Sequence, residues 1–188
     1  LHDAPDPRRL DLHASLRDPF GDWIVRVYSQ RQSIPVVLLA DVSASMALGN
    51  GPRRIDVLAD LAHSLAWSAW RSGDAYGLIA CDETVREDLL LLPTRARGAG
   101  LARAQDLRAL RPRGHSAHGL LDAHRWLGRQ RALVFLVSDF HLPAPELAAV
   151  LSSLARHDVL PVVLGDPAEF DLGLRSGWAR LVDPETGQ

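Results

Sequence analysis

The chain has 188 residues, which suits one domain, and its 47% apolar content supports a sizeable core. A net charge of -2 speaks against a general polyanion-binding role, and a single cysteine excludes an intramolecular disulfide framework and fits a reducing compartment. No apolar run reaches the roughly 20 residues that a membrane-spanning helix needs, and no signal peptide is visible.

The chain opens on Leu1 and its only methionine is Met46. A piece of a longer protein is therefore expected, with any anchor in the missing part. Pro5-Asp6-Pro7-Arg8-Arg9 starts a charged, irregular segment that runs to Gly21. Residues 23–28 then read as a strand with partial alternation. Residues 34–40, Ile-Pro-Val-Val-Leu-Leu-Ala, are apolar without a break, as in a strand covered on both faces. After a turn at Gly49-Asn50-Gly51-Pro52, residues 53–71 show helical spacing. Ile55, Leu58, Ala59, Ala62, Leu65, Ala66 and Ala69 mark the inward face, and Gly73 is the stop.

Residues 75–81 form the next buried strand, in which Cys81 reads as a small core hydrophobe. Residues 84–92 are expected to return as its hairpin partner, antiparallel and at a sheet edge, with 93–100 as loop. A helix over 101–110 is broken by Arg111-Pro112-Arg113-Gly114, and another helix is expected over 117–130. Residues 132–138 are the second unbroken apolar strand, ending on Asp139. A helix over 145–157 begins at a proline and turns Leu147, Val150, Leu151 and Leu154 inward. Residues 159–164 read as a third buried strand, and Pro161 argues for an edge or a strand start. A loop over 166–177, a short strand over 178–182 and a turn at 184–187 complete the chain. Strands alternating with helices give an α/β sandwich with a mostly parallel sheet and one antiparallel edge strand.

Asp41-Val42-Ser43-Ala44-Ser45 follows the first buried strand. A carboxylate and two hydroxyls thus meet at the carboxyl end of a parallel strand, where open α/β sheets bind ligands. Asp139 ends the second such strand, and the loop Gly114-His115-Ser116 can add a third hydroxyl. Oxygen donors of this kind suit a small hard cation. The simpler role of Asp41, Ser43 and Ser45 is to cap the following helix. The ends of two buried strands converging on carboxylates favour the metal.

The set Asp41, Ser43, Ser45, Ser116 and Asp139 resembles the metal-ion-dependent adhesion site of the von Willebrand factor type A domain. The family pattern is Asp-x-Ser-x-Ser on the first loop, Thr on the second and Asp on the third. Ser116 stands where the family usually has Thr. The resemblance runs from about residue 34 to residue 164. It implies a Rossmann-like three-layer α/β/α fold over 34–183, with 1–33 leading into it and 184–188 as a tail. It also implies Mg²⁺ as the bound ion, with Mn²⁺ and Ca²⁺ as alternatives. The hydroxyls would bind directly, and the carboxylates directly or through water. Asp6-Pro7-Arg8-Arg9-Leu10-Asp11, Val25-Arg26-Val27-Tyr28 and Ser138-Asp139-Phe140 further resemble a bacterial A-domain family of uncharacterised proteins encoded beside MoxR-type AAA+ ATPases. Ser29-Gln30-Arg31-Gln32 departs from the Glu-rich strand often found there. The function this implies is cation-dependent protein binding, with a partner's Asp or Glu completing the metal shell. The partner would be a MoxR-type AAA+ ATPase or its client. The place would be cytoplasmic, with the full-length protein anchored on that side of a membrane, and neither catalysis nor nucleic-acid binding is expected.

Three other chemistries fit the residues less well. His115, His118 and His141 flank Ser116 and Asp139, and with Asp139 they would make a hydrolytic Zn²⁺ or Mn²⁺ site. Exposed loop histidines are the simpler reading. No Gly-x-Ser-x-Gly elbow frames a serine nucleophile, and nothing in the spacing selects a triad histidine. No Walker A or Gly-x-Gly-x-x-Gly sequence follows a strand. All 21 basic residues are arginine. Arg95, Arg97, Arg103, Arg108, Arg111 and Arg113 concentrate on one stretch, as a solvated helix face or, less simply, an acidic-partner patch.

Overall fold

The computed structural model describes residues 10–24, 33–47 and 53–165. The expected strands at 23–28 and 178–182 and the turns at 49–52 and 184–187 lie wholly or largely outside these residues. The chain divides into two compact units, Leu1–Gln32 and Ser33–Gln188. In the first, the expected irregular segment contains a short helix, α1 (Leu12–Ser15). The Asp11 side chain caps it by accepting from the Ala14 amide at 3.1 Å. The Asp11 amide donates to the Ile24 carbonyl at 2.8 Å and the Ile24 amide to Ser15 Oγ at 2.9 Å, which closes the loop.

The second unit is a five-stranded sheet between two helical layers. In chain order it comprises β1 (Val36–Asp41), α2 (Arg54–Ser72), β2 (Tyr76–Cys81), β3 (Leu91–Thr94), α3 (Arg97–Ala109), β4 (Leu133–Ser138), α4 (Ala144–Ser153) and β5 (Asp158–Val163). The strand order is β3-β2-β1-β4-β5. All neighbours are parallel except β2 and β3. This is the expected α/β sandwich, a mostly parallel sheet with one antiparallel edge strand.

Side chains alternate across each strand, so β1 serves two cores. Leu38 and Ala40 join Leu78 and Ala80 against Ile55, Leu58, Ala62 and Leu107 of α2 and α3. Val37 and Leu39 join Ile79 and Leu136 against Leu120, Ala123, Val150 and Leu154 on the opposite face. The α2 face is the expected one, except that Leu65 is only partly buried. Gly73 ends the helix at φ 78°, a left-handed conformation that costs a glycine little. No helix among the described residues is long and apolar enough to cross a membrane.

Three expected elements are corrected. Residues 84–92 do not form one continuous hairpin strand. The Arg86 guanidinium bonds Asp82 at 3.1 Å and Asp88 at 2.9 Å, which folds this charged segment into a turn. Val85 makes an isolated antiparallel bridge to Cys81, but the strand that pairs with β2 starts only at Leu91, so it takes the last two residues of the expected strand and the first two of the expected loop. Pro93, which has no amide to donate, is tolerated there because β3 is an edge. Residues 117–130 are not one helix but two 3₁₀ turns, His118–Leu121 and Ala123–Trp126. The Gly119 amide donates to the Asp82 carbonyl at 2.8 Å, which docks the first of these turns on the loop after β2. The helix expected over 145–157 stops at Ser153, and Leu151 faces solvent while Val150 and Leu154 are buried.

The last strand, β5, is the edge that Pro161 implied, but it is not buried, since Leu160 and Val163 are exposed. It is anchored at its start. The Asp158 amide donates to the Ala132 carbonyl at 2.9 Å, and the Ala132 amide donates to buried His157 Nδ1 at 3.2 Å. Burial, with help from the Arg156 charge, lowers the His157 pKa below its ordinary value of 6.5. The unfolded chain then binds more protons in mild acid, so stability falls as pH drops through that value. Urea midpoints at about pH 7 and about pH 5 should therefore differ less for His157→Gln than for the wild type. An equal pH slope in both proteins would remove His157 from the account.

Candidate functional site

The sheet reverses direction at β1 and β4. From β1 the chain crosses by α2 to β2 on one side, and from β4 it crosses by α4 to β5 on the other. Ligands of open α/β sheets bind in the crevice outside the strand ends at such a point. Asp41 is the last residue of β1, and Ser138, the last of β4, lies beside it in the sheet.

The Ser43 amide and hydroxyl both donate to Asp41 Oδ1, at 2.9 and 2.7 Å. Ser138 Oγ donates to Asp41 Oδ2 at 2.7 Å. Ser43 Oγ and Ser45 Oγ lie 3.1 Å apart. The second loop is stitched to the first: Gly114 bridges to Ser43, and its carbonyl accepts from the Ala44 amide at 2.7 Å. Ser116, half-buried and two residues further on, shares this rim but makes no described hydrogen bond with the other four residues. Asp139 Oδ1 accepts from the His141 amide at 3.2 Å, and Oδ2 lies 3.2 Å from His141 Nδ1. Between Asp139 and His141, Phe140 turns the chain at φ 58°, which is uncommon for a residue with a Cβ. Its amide donates to Ser138 Oγ at 2.9 Å, so that one hydroxyl serves both the turn and Asp41.

Two residues of the site were not singled out from the sequence. Ser138 is one, although the polar end of an apolar strand run was a visible signal. Arg54 is the other. It opens α2 and is buried, and its Nη1 donates to the Ser45 carbonyl at 3.1 Å and to Asp139 Oδ2 at 3.2 Å. Its neighbour Arg53 is half-buried and pairs with Asp56.

Asp41, Ser43, Ser45 and Asp139 are all buried. Burial is the main force raising the Asp41 pKa above 3.8, the Asp139 charge adds to it, and the hydrogen bonds from Ser43 and Ser138 oppose it. The donor chemistry suits a small dication. Two oxygens at right angles on one Mg²⁺ at about 2.1 Å lie about 3.0 Å apart, close to the Ser43–Ser45 separation.

The histidines are distributed differently. His118 pairs with Glu146 at 3.3 Å, His141 with Asp139, and the His115 amide with Glu83. Among the described residues no three His, Cys, Asp or Glu side chains gather as a metal group. The arginine stretch is largely engaged within the chain. Arg95 bonds the Gly73 carbonyl, Arg97 lies 4.5 and 4.6 Å from the Trp67 and Trp70 rings, Arg103 pairs with Asp106, and Arg108 pairs with Asp60. Burial raises the Cys81 thiol pKa, as fits a core residue.

Residues 5–188 match the family described as protein of unknown function DUF58. The chain belongs to that family. Over 62 residues this DUF58 chain is 47% identical to a Paracoccus denitrificans protein described as an uncharacterized protein in the moxR 3' region, a match covering 33% of the chain and 59% of the relative. Its fold is similar to that of the conserved hypothetical protein BatB from Bacteroides thetaiotaomicron, with a TM-score of 0.54 and 17% identity over 71% of this chain and 66% of that one. It is also similar to an aerotolerance-related membrane protein from Bacteroides fragilis, with a TM-score of 0.53 and 18% identity over 71% of this chain and 67% of that one.

Proposed function

We propose that this DUF58 domain is a divalent-cation-dependent protein-binding module and not an enzyme. One observation carries the reading: carboxylates and hydroxyls from adjoining strand-end loops converge at the switch point of the sheet. Asp41, Ser43, Ser45, Ser116 and Asp139 would hold Mg²⁺, or Mn²⁺ or Ca²⁺ in its place. When bound, the ion supplies a Lewis-acidic position that an Asp or Glu of a partner can fill. Asp41 is fixed by three hydrogen bonds and Ser43 is held against it, so both are positioned before any ligand arrives. Asp139, on the neighbouring loop, supplies the second carboxylate.

The Paracoccus relative's place in a moxR region supports a MoxR-type AAA+ ATPase or its client as partner, with this domain as adaptor or scaffold. The membrane description of one structural neighbour supports a full-length protein anchored in a membrane. The alternative hydrolase needs His115, His118 and His141 on one metal with Asp139. His141 does lie beside Asp139, but His118 pairs with Glu146 instead.

The test is capture of a purified MoxR-type ATPase by the immobilised chain in MgCl₂ and in EDTA. Retention that survives EDTA undiminished would end the adhesion reading. Ser116→Ala should weaken Mg²⁺-dependent capture only about threefold to tenfold, because water can replace one neutral oxygen ligand. An unchanged affinity removes Ser116 from the set.

A further inference from the structure

We propose that Arg54 is a built-in competitor for the divalent cation, holding Asp139 in the metal-free site and releasing it when a dication binds. The inference rests on the adhesion-site reading and concerns how that site is controlled. Arg54 is 5% exposed, although it stands at the first position of α2, where arginines are ordinarily solvated. A single nitrogen, Nη1, reaches both the Ser45 carbonyl and Asp139 Oδ2. From α2 it therefore ties the first metal loop to the third, reaching Asp139 85 positions away in sequence.

A guanidinium does not lose its proton under any ordinary condition. A buried charge of this kind persists only while it is paired. Asp139 and Arg54 consequently hold each other. A dication placed beside Ser43 and Ser45 would meet a fixed positive charge bonded to the very carboxylate it needs. Loading then requires Arg54 to let go of Asp139.

Displacing Arg54 from Asp139 takes up part of the favourable energy of ion binding, so Arg54 lowers the affinity of the site for metal.

The test titrates the 188-residue chain with MnCl₂ by calorimetry, comparing wild type, Arg54→Gln and Arg54→Lys. The Gln variant should bind Mn²⁺ about tenfold or more tightly than wild type, and the charge-retaining Lys variant close to wild type. A second measurement needs no mutation. Phenylglyoxal labelling of wild-type Arg54, read by mass spectrometry, should rise when MnCl₂ is present, because the side chain leaves its buried partner. Wild type and Gln variant binding Mn²⁺ equally, or Arg54 labelling unaltered by saturating metal, overturns this inference and leaves the adhesion site standing. No Mn²⁺ binding by any of the three proteins at millimolar concentration overturns both.

Discussion

Asp41→Asn should abolish Mg²⁺-dependent partner binding and leave the metal-free domain at least as stable as wild type. Asp41 is 1% exposed, and burial pushes its pKa above the ordinary carboxylate value. A carboxyl whose folded pKa lies above its unfolded value binds protons more tightly in the folded chain. Its ionised form therefore costs stability above the folded pKa, and that cost disappears as pH falls through it. Asparagine removes the charge at all pH values and keeps the shape. Its Oδ1 still accepts from the Ser43 amide, and its Nδ2 can donate to Ser138 Oγ, whose hydroxyl hydrogen is free to rotate. Alanine is the harsher change. It strands the buried Ser43 and Ser138 donors, at about 1–3 kcal/mol for each one left unsatisfied, while relieving the buried charge. Thermal unfolding with and without MgCl₂ separates the effects. Wild type should gain about 2.7 kcal/mol at one hundred times the dissociation constant, and Asp41→Asn nothing. An equal Mg²⁺ gain in both proteins would remove Asp41 from the metal shell.

Gly119→Ala should be the most damaging of the small substitutions in the second layer of helices. A Cβ at this position would lie 2.5 Å from both the carbonyl carbon and the oxygen of Thr84, and 2.9 Å from the Asp82 carbonyl oxygen. These are backbone atoms, so no side chain can swing aside. The Gly119 amide also makes the 2.8 Å hydrogen bond that docks this turn on the loop after β2. Overpacking at about 1–3 kcal/mol and a lost hydrogen bond at about 1 kcal/mol together predict a loss near 3 kcal/mol. Gly98→Ala is the control. It sits in α3 with nothing within 4 Å of the added methyl, and it should stabilise the domain by about 0.5–1 kcal/mol. Urea denaturation reads both. A Gly119→Ala midpoint equal to that of wild type would show that the turn is free to move away from residues 82–84.

The elements legible in the chain are those whose signal is local. β1, β2 and β4 lie inside the sheet and are apolar on both faces, so each reads as an unbroken run. The face of α2 repeats with the helix itself, and its glycine stop adopts the left-handed conformation that its position demands. The errors fall where a distant group overrides a local preference. Arg86, clasped by Asp82 and Asp88, turns a stretch that otherwise passes for a strand. The Asp82 carbonyl holds the Gly119 amide, and the turn docked there is 3₁₀ where a regular helix was expected.

The same division runs through the site. The linear order of residues was enough to place Asp41, Ser43 and Ser45 on one loop and Asp139 at another strand end, because parallel strands deliver their carboxyl ends to a common rim. It could not place Ser138 against Asp41, 97 positions away, or seat Arg54 on Asp139. Those contacts depend on which strands are neighbours and on how α2 leaves the rim. A buried charge finds its partner through space, and only the folded chain decides which one that is.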